Sequence, residues 1–393
     1  MKKFFHEAAI KKLLAYKRKY PDNPAKCAIK ICGYCAAWAV KSILPQKVSR
    51  KDKQNFSSFK VAFRLTNMIG DVLVNLNYLK GFSRHLPENC ILDIYSGLNE
   101  EVIDGLFYGN DFINQFIKGK YPDKGKYDLV VDLDRYPEIL YCSDRINSEN
   151  NYFLSEYVKI VSDFNMENPV FLLYGSWAER VGIEYARLFG RTRHTQGDIH
   201  DFLNLKNVKY SLKANPEFKR ILNQNGLEKK RYITFQRGIA GAGEYTRLWS
   251  LENYKAVVNW LKNSYPEYRL VQLGRTDTLE IEGIDLDLRG KTSFEELKNI
   301  LKYALIHIDG DCGMVHVRHY LQGGVSIVLF GPTSPDYIGY PENINLRADG
   351  CPGFCEWISN DWQEKCIRGY KDLPCMVKPE IVIEKIKSIL EAD

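Results

Sequence analysis

Three stretches of this sequence combine residue types and spacings that can do chemistry. Asp309-Gly310-Asp311-Cys312-Gly313-Met314-Val315-His316 places two glycines, two acids and a histidine around what reads as a strand–turn–helix joint. Glycines there let the backbone approach a ligand closely, and the first turn of a helix offers unpaired N–H groups to an anion. Asp311 is expected at the N-cap of that helix, with the Cys312 and Gly313 amides free for a phosphate. Asn67-Met68-Ile69-Gly70-Asp71 opens a second joint of the same kind. Asp71 there reads either as a helix cap worth about 1 kcal/mol or as an accessible general base. Cys351, Cys355, Cys366 and Cys375 form the third stretch. They can make a tetrahedral thiolate site for Zn or Fe, stand as free thiols, or pair as disulfides.

These joints need strands that deliver them to one edge. Apolar runs at 59–65, 90–95, 127–134, 231–235, 268–273, 303–308 and 325–330 read as strands, and helical spacing follows at 72–82, 99–107, 178–189, 251–261, 294–304 and 314–321. Strands alternating with helices imply parallel sheets, whose ligands sit beyond the carboxyl ends of the strands. Gly331-Pro332-Thr333-Ser334-Pro335, after the run at 325–330, opens on the same edge as Asp311 and makes Gly331 and Thr333 candidate ligand contacts. Arg191-Thr192-Arg193-His194 reads as a basic loop, solvated or facing the cleft.

At 393 residues the chain accommodates two ordinary α/β domains, and an apolar fraction of 45% with 26% charged residues describes a folded protein. Its longest apolar stretch, 31–40, falls well short of the roughly 20 residues that cross a bilayer. No signal peptide is convincing, so the expected location is the cytoplasm, where ten cysteines serve as thiols or metal ligands more readily than as disulfides. The net charge of +6 is uneven: residues 1–53 carry twelve Lys and two Arg against three acids, which leaves the remainder acidic. That amphipathic arm can lie on an anionic membrane surface or form a solvated extension, and the acidic remainder argues against nucleic acid.

Together, Gly70-Asp71-Val72-Leu73, Asp311-x-Gly313-x-x-His316 and Leu329-Phe330-Gly331-Pro332-Thr333-x-Pro335 resemble the signature of the family 9 glycosyltransferases, the ADP-heptose:lipopolysaccharide heptosyltransferases. The resemblance covers roughly 58–392 and implies the GT-B arrangement, two Rossmann-like α/β domains facing a central cleft, here with an extra helical basic arm at the N-terminus. It divides the chain into the arm at 1–55, an acceptor-side domain at 56–220, a nucleotide-sugar-binding domain at 228–376 and a closing helix at 377–393 that crosses back to the first domain. Asp71 would then be the catalytic base. Arg247, standing where the family has a lysine, would reach the donor's phosphates with Asp311, Cys312, Gly313 and His316. The implied reaction is an inverting, metal-independent transfer of a sugar, heptose from ADP-heptose, onto a lipopolysaccharide core or another glycan or lipid-linked acceptor. The inner face of the cytoplasmic membrane is the site this suggests. A protein acceptor or a different nucleotide sugar is the nearest alternative, and an inactive membrane-associated scaffold is an alternative of another class.

Two features depart from that pattern. Cys312 replaces the usual Ser or Thr, and the glycine-rich run before Arg247 is longer than usual. Asp132-x-Asp134, Asp285-x-Asp287 and Asp309-x-Asp311 each spell an acid pair that metal-dependent transferases use, but three copies in one chain make the pattern cheap. Cysteine clusters also occur late in family 9 chains, and in some protein-glycosylating members they bind iron. Gly238-x-x-Gly241-x-Gly243 does not fit the register of a dinucleotide fingerprint.

Overall fold

The computed structural model describes residues 58–391, apart from 89, 120, 149–151, 174 and 239–243. The basic arm and most of the glycine-rich run before Arg247 thus lie outside the described residues. In chain order the elements are β1 (Lys60–Leu65), α1 (Ile69–Ser83), β2 (Ile91–Ser96), α2 (Glu100–Phe107), β3 (Gln115–Lys118), β4 (Leu129–Leu133), β5 (Pro137–Cys142), α3 (Asp144–Ser148), α4 (Tyr152–Glu167), α5 (Ser176–Leu188) and α6 (Arg220–Gln224). They continue with β6 (Tyr232–Phe235), α7 (Leu251–Ser264), β7 (Arg269–Gln272), β8 (Leu286–Asp287), α8 (Phe294–Tyr303), β9 (Ile306–Gly310), α9 (Gly313–Tyr320), β10 (Ser326–Leu329), α10 (Pro335–Ile338), β11 (Ile344–Leu346) and α11 (Pro379–Leu390).

Two sheets result. The first has the order β3-β2-β1-β4-β5 and is parallel except for β5, which runs antiparallel to β4. The second has the order β11-β10-β9-β6-β7-β8 and is parallel throughout. Central strands such as β4, with all five residues buried, are covered on both faces, which is why they read as unbroken apolar runs. Asp132 is tolerated inside β4 because Arg64 of neighbouring β1 grips it with two bonds, at 2.9 and 2.6 Å.

Local signals set the helix starts. Ser293 and Glu296 form a reciprocal capping box that begins α8, and Ser250 accepts from the Asn253 amide to begin α7. The strand expected at 303–308 starts later, at Ile306, because α8 runs through Tyr303.

Apolar packing continues from the first sheet into the second: Phe63 and Leu76 belong to the same buried cluster as Phe294, Val315 and Tyr320. Lys298, fully buried on α8, ties the units further by donating to the Gly105 and Lys213 carbonyls at 2.5 and 2.7 Å. The C-terminal helix behaves differently from expectation. Instead of crossing to the first sheet, α11 buries Val382 and Ile386 in a cluster with Val257, Val258 and Leu261 of α7.

Candidate functional site

The two joints predicted to do chemistry meet. A Cβ placed on Gly70 would stand 2.7 Å from His316 Cδ2, and one on Gly313 would stand 2.5 Å from Ile69 Cγ2. Only glycine permits that approach, so the N-terminus of α1 and the N-terminus of α9 lie against each other across the two units.

Asp71 sits in the first turn of α1 without capping it. The N-cap is Met68, which makes no side-chain cap bond. The carboxylate instead accepts from Arg193 Nη2 at 2.7 Å. Arg193 is buried, whereas the Asp71 side chain keeps 40% of its surface toward the cleft. Burial raises the Asp71 carboxyl, but Arg193, aided by Arg135 and His316, outweighs it and holds the group below its ordinary range. The loop at 191–194 is therefore not solvated; it faces the junction, with Arg193 committed to Asp71.

Asp311 does not cap α9. Cys312 is the N-cap residue, without a side-chain cap bond, and the Asp311 carboxylate lies 3.6 Å from Arg247 Nη2. Arg247 also donates to the Asp311 carbonyl and pairs with Glu244 at 3.4 Å. The Cys312 thiol donates to Asp309 Oδ2 at 2.6 Å and lies 3.2 Å from Gln236 Oε1. Burial and the Asp309 charge push it well above the usual thiol range, so it is a neutral thiol doing the work of a hydroxyl. Asp309 is further held by the Gly310 amide and His307.

His316 stands edge-on to an aromatic stack. Its Nδ1 is hydrogen-bonded to Tyr340 Oη at 2.7 Å, while His194 stacks on Tyr340 at 4.3 Å and His319 at 3.5 Å. Burial lowers His316 to about 4 and His194 to about 3, so both rings are neutral at physiological pH. His194 donates from Nε2 to the Ile338 carbonyl, which leaves Nδ1 buried without a partner. Thr333 is buried with its hydroxyl unpartnered, and Gly331 is held tightly against the Thr246 carbonyl.

A small open recess is lined by Asp132, Asp134, Arg135, Tyr136, Glu138 and Glu179 among others, and the Asp134 carboxyl in it feels the Asp71 charge. Arg135 pairs with Glu179 and covers the face of Trp357 at 5.1 Å. Of the three acid pairs in the sequence, Asp132 is occupied by Arg64 and Asp287 by Arg289.

Cys351, Cys355, Cys366 and Cys375 come into one neighbourhood as free thiols, with Cys351 and Cys375 buried beside Leu373. Among the described residues no group of three or more His, Cys, Asp or Glu side chains is arranged to hold a metal ion. No described helix is long and apolar enough to cross a membrane.

Asp71, Asp311, Cys312, Gly313 and His316, singled out by their motifs, and Arg247, singled out by the family resemblance, all line this junction. Arg193, from the basic loop at 191–194, also belongs to it, as do Glu356, Tyr340 and Gln236, which no local motif marks.

This fold is that of a GT-B glycosyltransferase. Among solved structures it is similar to TibC, the iron-containing dodecameric glycosyltransferase of enterotoxigenic E. coli, with a TM-score of 0.55 and 14% identity over 87% of this chain and 79% of that one. A family 9 glycosyl transferase from Veillonella parvula superposes with a TM-score of 0.53 and 16% identity, over 85% and 98% of the two chains. The ADP-heptose lipopolysaccharide heptosyltransferase II of E. coli gives 0.51 and 14%, over 85% and 99%. No family model and no curated protein matches the sequence.

Proposed function

We propose that the protein is a glycosyltransferase of the family 9 type, transferring a sugar, heptose from ADP-heptose in the first instance, to a hydroxyl of a glycan or lipid-linked acceptor. The observation that carries this reading is the abutment of the two helix starts, which sets a carboxylate against an anion site. Asp71 faces the cleft from the first sheet, and the α9 N-terminus with Arg247 faces it from the second. An inverting displacement requires that pairing. Asp71 removes the acceptor hydroxyl proton as its oxygen bonds to the anomeric carbon, and the bond to the diphosphate breaks with its electron pair on the phosphate oxygen. Charge then grows on the leaving diphosphate, where the α9 amides and the Arg247 guanidinium oppose it.

Arg193 keeps Asp71 ionised and oriented in this scheme, and Asp311 aligns Arg247. Likeness to structures described as heptosyltransferases supports the donor class. A structural metal at the cysteine neighbourhood forms no part of the proposal. The test is thermal stabilisation of the purified chain by ADP, UDP, GDP and CMP, followed by turnover of the matching nucleotide sugar. A selective shift with ADP supports ADP-heptose, a shift with UDP or GDP keeps the transferase and changes the sugar, and no shift with any of them rejects the reading.

A further inference from the structure

A buried carboxyl at the meeting of the two sheets has no role in the scheme above. Glu356 is anchored to the turn after β10, where its amide and that of Cys355 donate to the Pro332 carbonyl at 3.2 and 3.0 Å, and its own carbonyl accepts from Arg180 Nη1 at 3.1 Å. The residue is 2% exposed, and Oε1 is buried without a hydrogen-bond partner. Asp311 and Arg247 act on the carboxyl from the second unit, Arg180 and Arg135 from the first. Buried polar atoms in native proteins are nearly always bonded, so an unmet oxygen beside Asp311 and Arg247 points to a ligand that meets it. Burial, reinforced by Asp311, outweighs the three arginines and pushes this group up to about 7.

We propose that Glu356 reads the donor sugar, bonding one or more of its hydroxyls through the carboxyl oxygens. The inference rests on the glycosyltransferase reading and deepens it. A diphosphate is a poor partner for Glu356, because an ionised carboxylate repels it and the α9 N-terminus with Arg247 already answers that charge. The sugar lies between that anion site and Asp71, and each hydroxyl both donates and accepts, so either protonation state of Glu356 finds a bond.

Calorimetric titration of the full chain with ADP and with ADP-heptose, for wild type, Glu356→Gln and Glu356→Ala, tests this alongside the melting temperatures of the ligand-free proteins. Expected for Glu356→Ala is ADP affinity within about twofold of wild type and ADP-heptose affinity about tenfold weaker or more. Ligand-free Glu356→Gln should melt higher than wild type, since it removes a buried acid held for a ligand rather than for the fold. If Glu356→Ala does not fold, Glu356→Gln carries the binding comparison. Parallel loss of ADP and ADP-heptose binding, or a lowered melting temperature for Glu356→Gln, would overturn the inference while leaving the transferase reading intact. So would a wild type that binds ADP-heptose no more tightly than ADP. A wild type that binds neither ligand overturns both.

Discussion

Arg193 donates to Asp71 at 2.7 Å across 122 positions of sequence, the buried guanidinium fixing a carboxylate that opens on the cleft. Without Arg193, burial becomes the dominant influence on Asp71 and the carboxyl rises. Arg193→Met should therefore move the acid limb of the pH profile of kcat/KM upward, with reduced activity at pH 7. A pH–rate profile whose acid limb stays in place would count against Asp71 as the base.

Asp71→Asn should lower turnover by about 10²–10⁴-fold, the usual contribution of a positioned base, while ADP affinity stays within about twofold. The same change strands the buried Arg193 guanidinium. The stability loss should be about 1–3 kcal/mol, below that of a fully buried pair because the Asp71 side chain is 40% exposed. Denaturant melts and steady-state kinetics on one preparation separate the two effects.

Arg247→Ala should weaken ADP by about ten- to a hundredfold, the loss of a charge-assisted contact, and Arg247→Lys should recover part of it. Arg247 is engaged by Asp311 and Glu244, so on the proposed reading a nucleotide would exchange one set of negative partners for another. ADP titrations of the two variants check this; equal affinities for wild type and Arg247→Ala would remove Arg247 from the phosphate site.

Stability should fall in acid with a defined sign. His316 and His194 are depressed from 6.5 to about 4 and about 3, so they stay neutral in the fold while an unfolded chain binds protons. Their contribution is complete above about pH 6.5 and fades as the pH drops through that window, by about 1.4 kcal/mol per pH unit for each ring. Glu356 acts with the opposite sign, because its folded value is raised from 4.5 to about 7: its contribution is present below about 4.5 and is lost as the pH rises toward 7. Melting temperatures from pH 4 to 8 should show Glu356→Gln relieving the neutral side alone. His194→Phe should relieve the acid side.

Gly70→Ala should lower both stability and activity, because its Cβ would collide with the His316 ring, which is bonded to Tyr340. Gly313→Ala meets the Ile69 side chain instead and should be partly rescued by Ile69→Ala. Melts of the two single variants and the double measure the coupling, and additive losses would mean the helix starts do not press on each other.

What could be read from the sequence was local. Gly70-Asp71 and Asp311-Cys312-Gly313 are short-range strand–turn–helix signals, and the paired sheets follow from the alternation of apolar runs with helical spacing. The role of Arg193 and the presence of Glu356 were hidden because their partners come from distant elements: a basic tetrapeptide reads as solvated or cleft-facing alike until its carboxylate, 122 positions away, decides between them. Asp311 was misplaced by one residue as the cap, since a single-residue shift at a helix start is invisible to spacing and is set by the pull of Arg247. The course of α11 was likewise decided by tertiary packing, because an apolar stripe does not name the surface that covers it.

The abutting starts of α1 and α9 carry a consequence for the end of the catalytic cycle. Both helices turn their positive poles to the same spot, and like poles held together cost energy unless a negative charge lies between them. On the proposed reading, a bound diphosphate would add negative charge between the two halves and its departure would remove it, which would couple release of the spent nucleotide to the hold of one half on the other. A rate limited by that event would slow with tighter nucleotide binding and quicken as salt screens the poles.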